Sequence, residues 1–109
     1  MATHNILIIN GPNLDQLGSR EPEIYGHMTL TDIETMCHAA AAKQDLTVSF
    51  MQSNAEDGII AAIHAARNDG TEAIIINAAA FTHTSVAIRD AIQMFSGIRI
   101  EVHLSNIFA

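Results

Sequence analysis

The sequence predicts an α/β fold, a mostly parallel sheet with helices packed on its faces. Three observations carry that prediction. Four short apolar runs read as strands, three segments of helical period lie between them, and each connection is too long for a hairpin but long enough for a helical crossover. The resulting order is βαβαβαβ. Right-handed crossovers can then place helices on both faces of the sheet, with ligands bound beyond the carboxyl ends of the strands.

In chain order, the first strand is Ile6-Leu7-Ile8-Ile9, an unbroken Ile-rich run of the kind covered on both faces. A helix follows from Thr31 to Lys43, where Ile33, Met36, Cys37, Ala40 and Ala41 recur at three- and four-residue spacing and Thr31 with Glu34 matches a capping box. The second strand, Leu46-Thr47-Val48-Ser49-Phe50-Met51, alternates as strands nearer a sheet edge do. Ser53-Asn54-Ala55-Glu56 repeats the box. It opens a second helix with the buried stripe Ile59, Ile60, Ile63 and Ala66, stopped at Arg67-Asn68-Asp69-Gly70. Ala73-Ile74-Ile75-Ile76 is a second run covered on both faces. The third helix runs from about Thr84 to Phe95 on the stripe Ala87, Ile88, Ala91, Ile92 and Phe95, ending at Ser96-Gly97. Ile98-Arg99-Ile100-Glu101-Val102, again alternating, closes the set.

Length and composition bound what this fold can be. The 109 residues, 49% hydrophobic and 16% charged, suit one domain spanning residues 1–109. Cys37 is the single cysteine and cannot form an internal disulfide, which makes a reducing cytoplasm the expected setting. No apolar run reaches the roughly 18 residues a membrane span needs, and the first residues lack the basic start of a signal peptide. Five Lys+Arg against twelve Asp+Glu give a net charge of −7, a field that repels polyphosphates and argues against nucleic acid as a partner. A small anionic substrate stays compatible, because local Arg, backbone N–H groups and hydroxyls can hold it.

The fold rule directs attention to the strand ends, which are polar. Asn10-Gly11-Pro12-Asn13 follows the first strand, Gln52-Ser53-Asn54 the second, and Asn77 the third, ahead of Thr82-His83-Thr84-Ser85. Glu101, His103 and Ser105 fall at a period of two at the fourth, on one strand face at steps of about 7 Å. That line reads either as a proton-handling site, with Glu101 orienting His103 as a general acid, or as the solvated face of an edge strand. The loop from Pro12 to His27 is more than twice the usual βα length of about 2 to 6 residues and holds Tyr25 and Arg20. It reads as a lid in which the Arg20 guanidinium favours a Tyr25 phenolate, or as a surface loop in which Arg20 pairs with Glu21 or Glu23.

Other chemistries lack their signatures. GxGxxG, P-loop and GxSxG patterns are absent, the six histidines show no HExxH spacing, and Lys43 is the only lysine, near a helix end. A metal site and Schiff-base catalysis are therefore not expected.

Taken together, four stretches closely resemble the type II 3-dehydroquinate dehydratases of the shikimate pathway. They are Asn10-Gly11-Pro12-Asn13-Leu14, Leu17-Gly18-Ser19-Arg20-Glu21-Pro22 through Tyr25-Gly26, Phe81-Thr82-His83-Thr84-Ser85 through Ala91, and Glu101-Val102-His103-Leu104-Ser105-Asn106. The resemblance implies a flavodoxin-like three-layer α/β/α domain that dehydrates 3-dehydroquinate without cofactor, by anti elimination through an enolate. It further implies Tyr25 as the base, Arg20 as the group that holds it ionised and stabilises transition-state charge, and Asn13 as the holder of a water on the enolate. His103, oriented by Glu101, would protonate the leaving hydroxyl. Ser105, the N–H groups of Leu104 and Ser105, and Asn77 would hold the substrate carboxylate, and His83 the ring hydroxyls. Asp90 would reach the site from a neighbouring subunit of a trimer, four of which make a dodecamer.

Two departures from the family pattern stand out. Ala79 occupies a position where small residues, often glycine, are usual, and the change is expected to be harmless. After Ser105-Asn106 the family continues through an Arg-bearing loop, a strand and a helix, whereas this sequence ends at Ala109, so the domain is expected to be one βα unit short. The alternative to catalysis is a silent truncated domain acting as an oligomer-forming or binding unit. A flavodoxin-like nucleotide or response-regulator module fits least, since the first strand leads into neither an acidic cluster nor a phosphate-cradling Gly loop.

Overall fold

The computed structural model describes residues 4–19, 27–82 and 84–103. They form β1 (His4–Asn10), a 3-10 turn (Leu14–Gln16), α1 (Leu30–Ala42), β2 (Leu46–Gln52), α2 (Glu56–Ala66), β3 (Ala73–Asn77), a second 3-10 turn (Ala79–Thr82), α3 (Val86–Gln93) and β4 (Ile98–Glu101). All three strand pairings are parallel, in the order β2-β1-β3-β4. The two Ile-rich runs are central and the two alternating runs are the edges, as their hydrophobic patterns require. This order is the first part of a flavodoxin-like sheet.

The order also dictates the layers. The chain steps from β1 to β2 in one direction and afterwards moves the other way, to β3 and β4, so crossovers of constant right hand put α1 on one face and α2 and α3 on the other. Ile9, Ile74 and Ile76 of the sheet meet Ile59, Ile63, Ala66, Ile88, Ala91 and Phe95 in the main core. Ile9, Ile59, Ile63 and Ile74 are fully enclosed, each contributing about 1.5–3 kcal/mol by leaving water. Among the described residues the opposite face is covered only in part. α1 packs on β2, while Ile98 and Ile100 of β4 are 63% and 45% exposed, and Ala41 is the only α1 residue fully buried.

The helix caps differ from the sequence reading. The box at α1 is formed by Thr29 and Asp32, not by Thr31 and Glu34. Thr29 is the last extended residue, its N–H donates to the Asp32 carboxylate (3.0 Å), and the Asp32 N–H donates to its hydroxyl (3.1 Å). The Thr29 backbone N–H first, and the Thr29 hydroxyl second, hold the Asp32 carboxyl below the usual carboxylate range. Glu34, displaced into the helix, pairs with His38 one turn on, at 3.2 Å. At α2 the box does not form. Ser53 uses its hydroxyl on the Ala55 N–H only two residues on (3.0 Å), and Ala55 caps the helix without a side-chain bond. The helix stops as expected, at Ala66, and the chain turns through Gly70 at φ +89°.

α3 is shorter than its periodicity suggests and Ala87 is exposed, because Ser85 starts the helix and sets which face meets the core. The buried Ser85 hydroxyl accepts from the Ile88 N–H (2.9 Å) and donates to the Glu56 carboxylate at the start of α2. One hydroxyl thus ties two helix N-termini together. Ser85→Ala leaves both partners unmatched, and the expected result is a loss of about 1–2 kcal/mol of unfolding free energy, read by urea denaturation with an unchanged slope. An unchanged midpoint would show that the cap carries no stability.

Candidate active site

The reversal of strand order lies between β1 and β3, and there the connections leaving the two strands head to opposite faces and open a crevice. Asparagine stands at the carboxyl end of both strands. Asn10 and Asn77, 5% and 4% exposed, are register partners, and each is satisfied locally. The Asn10 amide donates to the Met51 carbonyl (3.0 Å), and the Asn77 side-chain oxygen accepts from the Ala79 N–H (3.0 Å). Because its oxygen is occupied inward, the Asn77 amide nitrogen, which makes no hydrogen bond among the described residues, is a donor available to a bound anion.

Gly11 joins the two strands more closely than any other residue could. Its N–H donates to the Asn77 carbonyl at 2.8 Å, and a Cβ at Gly11 would stand 2.7 Å from the Ala78 carbonyl carbon and closer still to its oxygen. Two residues on, Asn13 adopts a left-handed backbone (φ 67°, ψ −1°) with an exposed side chain that makes no hydrogen bond among the described residues. Ala79, after β3, is also left-handed at φ 52°. The expectation that alanine there is harmless therefore needs correction, since a Cβ in this region costs roughly 1–2 kcal/mol. Ala79→Gly should stabilise the fold by about 0.5–1 kcal/mol, the relief of strain less the added freedom of the unfolded chain. A lower unfolding midpoint for this variant would contradict that account.

At the fourth strand the alternation stops between Glu101 and His103. Glu101 is the last residue of β4, in register with Ile76, whereas His103 lies past the strand end. β3 turns away after Asn77 into a 3-10 turn, so after the Val102 N–H has bonded the Ile76 carbonyl (2.9 Å) no neighbouring strand among the described residues remains to extend the ladder. Glu101 and His103 are both exposed, with no hydrogen bond between them. Glu101 faces the α3 side, where it borders a cavity of about 20 Å³ with Thr82 and Arg89. Asp90 is exposed on α3. Arg20, Tyr25, His83, Leu104 and Ser105 lie outside the described residues.

A larger cavity, about 430 Å³, opens at the carboxyl end of β2 beside the first turn of α1, lined by Asp15, Thr29, Glu34 and Gln52 among others. None of the candidate residues among those described lines it, and it is the strand order that locates Asn13 and Asn77. Two further residues bear on the site. Gln52 and Asn54 hydrogen-bond the Gly11–Asn13 turn from β2, and the signal that could have found them is their position at a strand's carboxyl end.

Residues 4–109 match the family model described as "Dehydroquinase class II". The chain is 54% identical over 101 residues to a 3-dehydroquinate dehydratase of Stenotrophomonas maltophilia, a match that covers 93% of this chain and 68% of that protein. It is 55% identical over 105 residues to the 3-dehydroquinate dehydratase of Marinobacter nauticus, covering 95% of this chain and 71% of the other. Among solved structures, the type II dehydroquinase of Butyrivibrio crossotus superposes with a TM-score of 0.92 at 44% identity, over 96% of this chain and 73% of that one. No helix among the described residues is long and apolar enough to cross a membrane.

Proposed function

The chain belongs to the class II dehydroquinase family, and from that premise we propose that it dehydrates 3-dehydroquinate to 3-dehydroshikimate in the shikimate pathway of aromatic amino acid biosynthesis. The observation that carries the reading is the family match along residues 4–109. Its support from the fold is the position of Asn13 and Asn77 at the reversal of strand order, with Glu101 one strand away.

The reaction loses one water across a carbon–carbon bond, and each step has a residue to perform it. Tyr25, held as phenolate by Arg20, removes the proton beside the ketone, whose acidity makes the abstraction possible. The electron pair moves to the ketone oxygen, and the resulting enolate is stabilised by a water that Asn13 holds. As the enolate collapses, His103, oriented by Glu101, gives its proton to the departing hydroxyl. Asn77 donates to the substrate carboxylate together with Ser105 and the N–H groups of Leu104 and Ser105, while His83 binds ring hydroxyls. Asp90, exposed on α3, serves the site of a neighbouring subunit in a trimer, and four trimers form a dodecamer. The elimination uses no cofactor and takes place in the cytoplasm.

The silent-domain alternative is disfavoured by the family match and by the presence in the sequence of Asn13, Arg20, Tyr25, Glu101 and His103. The test is conversion of 3-dehydroquinate, followed by the ultraviolet absorbance of the conjugated product, for this chain and for a version extended to its relatives' length. Turnover by either supports the reading. Turnover by neither overturns it.

A further inference from the structure

The turn carrying Asn13 is gripped by two carboxamides, one at the end of β2 and one just after it. Gln52, the last residue of β2, uses both N–H bonds of its amide, one to the Gly11 carbonyl (3.1 Å) and one to the Asn54 side-chain oxygen (3.0 Å). The same Asn54 oxygen accepts the Asn13 backbone N–H at 3.0 Å. Both groups facing that atom are donors, which fixes the orientation of the Asn54 amide. On its other side Asn13 is held as well, since its carbonyl accepts from the Gln16 N–H at 3.0 Å and starts the 3-10 turn.

We propose that Gln52 and Asn54 are positioning residues for the reaction, which together fix the left-handed backbone of Asn13 and so the direction of its carboxamide. This rests on the reading of Asn13 as holder of the water on the enolate. A left-handed residue that is not glycine reverts to an extended or helical conformation unless its surroundings hold it. Here the two peptide groups of Asn13 are bonded while its side chain makes no hydrogen bond among the described residues, so the clamp constrains the backbone and leaves the carboxamide available to a ligand. The clamp comes from a different strand, 41 residues away in sequence, and therefore ties the aim of Asn13 to the β1–β2 pairing and not to the turn alone.

Two readouts test this. Hydrogen exchange should show the Asn13 amide protected in the parent chain, about tenfold less protected in Asn54→Leu, and still protected in Asn54→Asp, which keeps an acceptor oxygen. In the active enzyme, Asn54→Leu and Gln52→Met should lower kcat by about 10- to 100-fold with KM little changed, Asn54→Asp should restore most of the rate, and neither should lower kcat further in an Asn13→Ala background. An unprotected Asn13 amide in the parent, or losses that multiply with that of Asn13→Ala, would overturn the proposal. An Asn13→Ala variant with full kcat would overturn the role of Asn13 itself, and the exchange measurement separates that result from a failure of the clamp.

Discussion

Replacing Tyr25 with phenylalanine is expected to lower kcat for 3-dehydroquinate by about 10²- to 10⁴-fold while KM stays within roughly threefold. Phenylalanine keeps the ring, and with it the packing and the apolar contact area, but it has no oxygen to accept the proton beside the ketone. Substrate binding is assigned to other groups, Asn77, His83 and the Leu104–Ser105 segment, so ground-state affinity should survive. His103→Ala should give a loss of the same order by removing the acid that assists departure of the hydroxyl. Steady-state kinetics on the two variants decides the matter. Normal turnover by Tyr25→Phe would move the base elsewhere, and a loss expressed in KM alone would make Tyr25 a binding residue.

Gly11→Ala is expected to have the largest effect on stability, about 3 kcal/mol or more. The added Cβ would stand 2.7 Å from the Ala78 carbonyl carbon and 3.1 Å from its Cα, both backbone atoms that cannot rotate aside. Relief requires β1 and the segment after β3 to separate, which also lengthens the 2.8 Å bond from the Gly11 N–H to Asn77. Activity should fall with stability, since the turn carrying Asn13 begins there. Gly58→Ala makes a useful contrast. A Cβ at Gly58 meets the Ser53 hydroxyl, a side chain that can turn away, and alanine favours the helix by about 1 kcal/mol. Equal denaturation midpoints for Gly11→Ala and the parent chain would show that the two strand ends do not approach as closely as described.

Much of this architecture is legible in the residue pattern. Unbroken Ile-rich runs and alternating runs distinguish the central strands from the edge strands because a strand covered on both faces has no polar side to display. Helix ends are less legible. Whether Thr29 or Thr31 caps α1, and whether Ser53 caps α2 or closes a turn, depends on the one residue at which the backbone leaves the extended region, and several nearby hydroxyls satisfy the same sequence pattern. The candidate site divides in the same way. The polar residues that follow each apolar run mark the strand ends, but the alternation that puts Glu101, His103 and Ser105 on one face assumes a strand that continues, and β4 stops at Glu101.

By itself the sequence determined the α/β class, the central and edge strands, and the polar strand ends that hold Asn13, Asn77 and Glu101. These follow from local rules of side-chain periodicity and backbone preference, which neighbouring residues satisfy without reference to the rest of the chain. Only the tertiary structure decided that Gln52 and Asn54 grip the Asn13 turn, that Gly11 must be glycine, that Ser85 serves two helices, and that β4 ends before His103. Each of those depends on a partner some 30 to 70 residues distant or on the place where a neighbouring strand runs out, and neither is encoded in the local pattern.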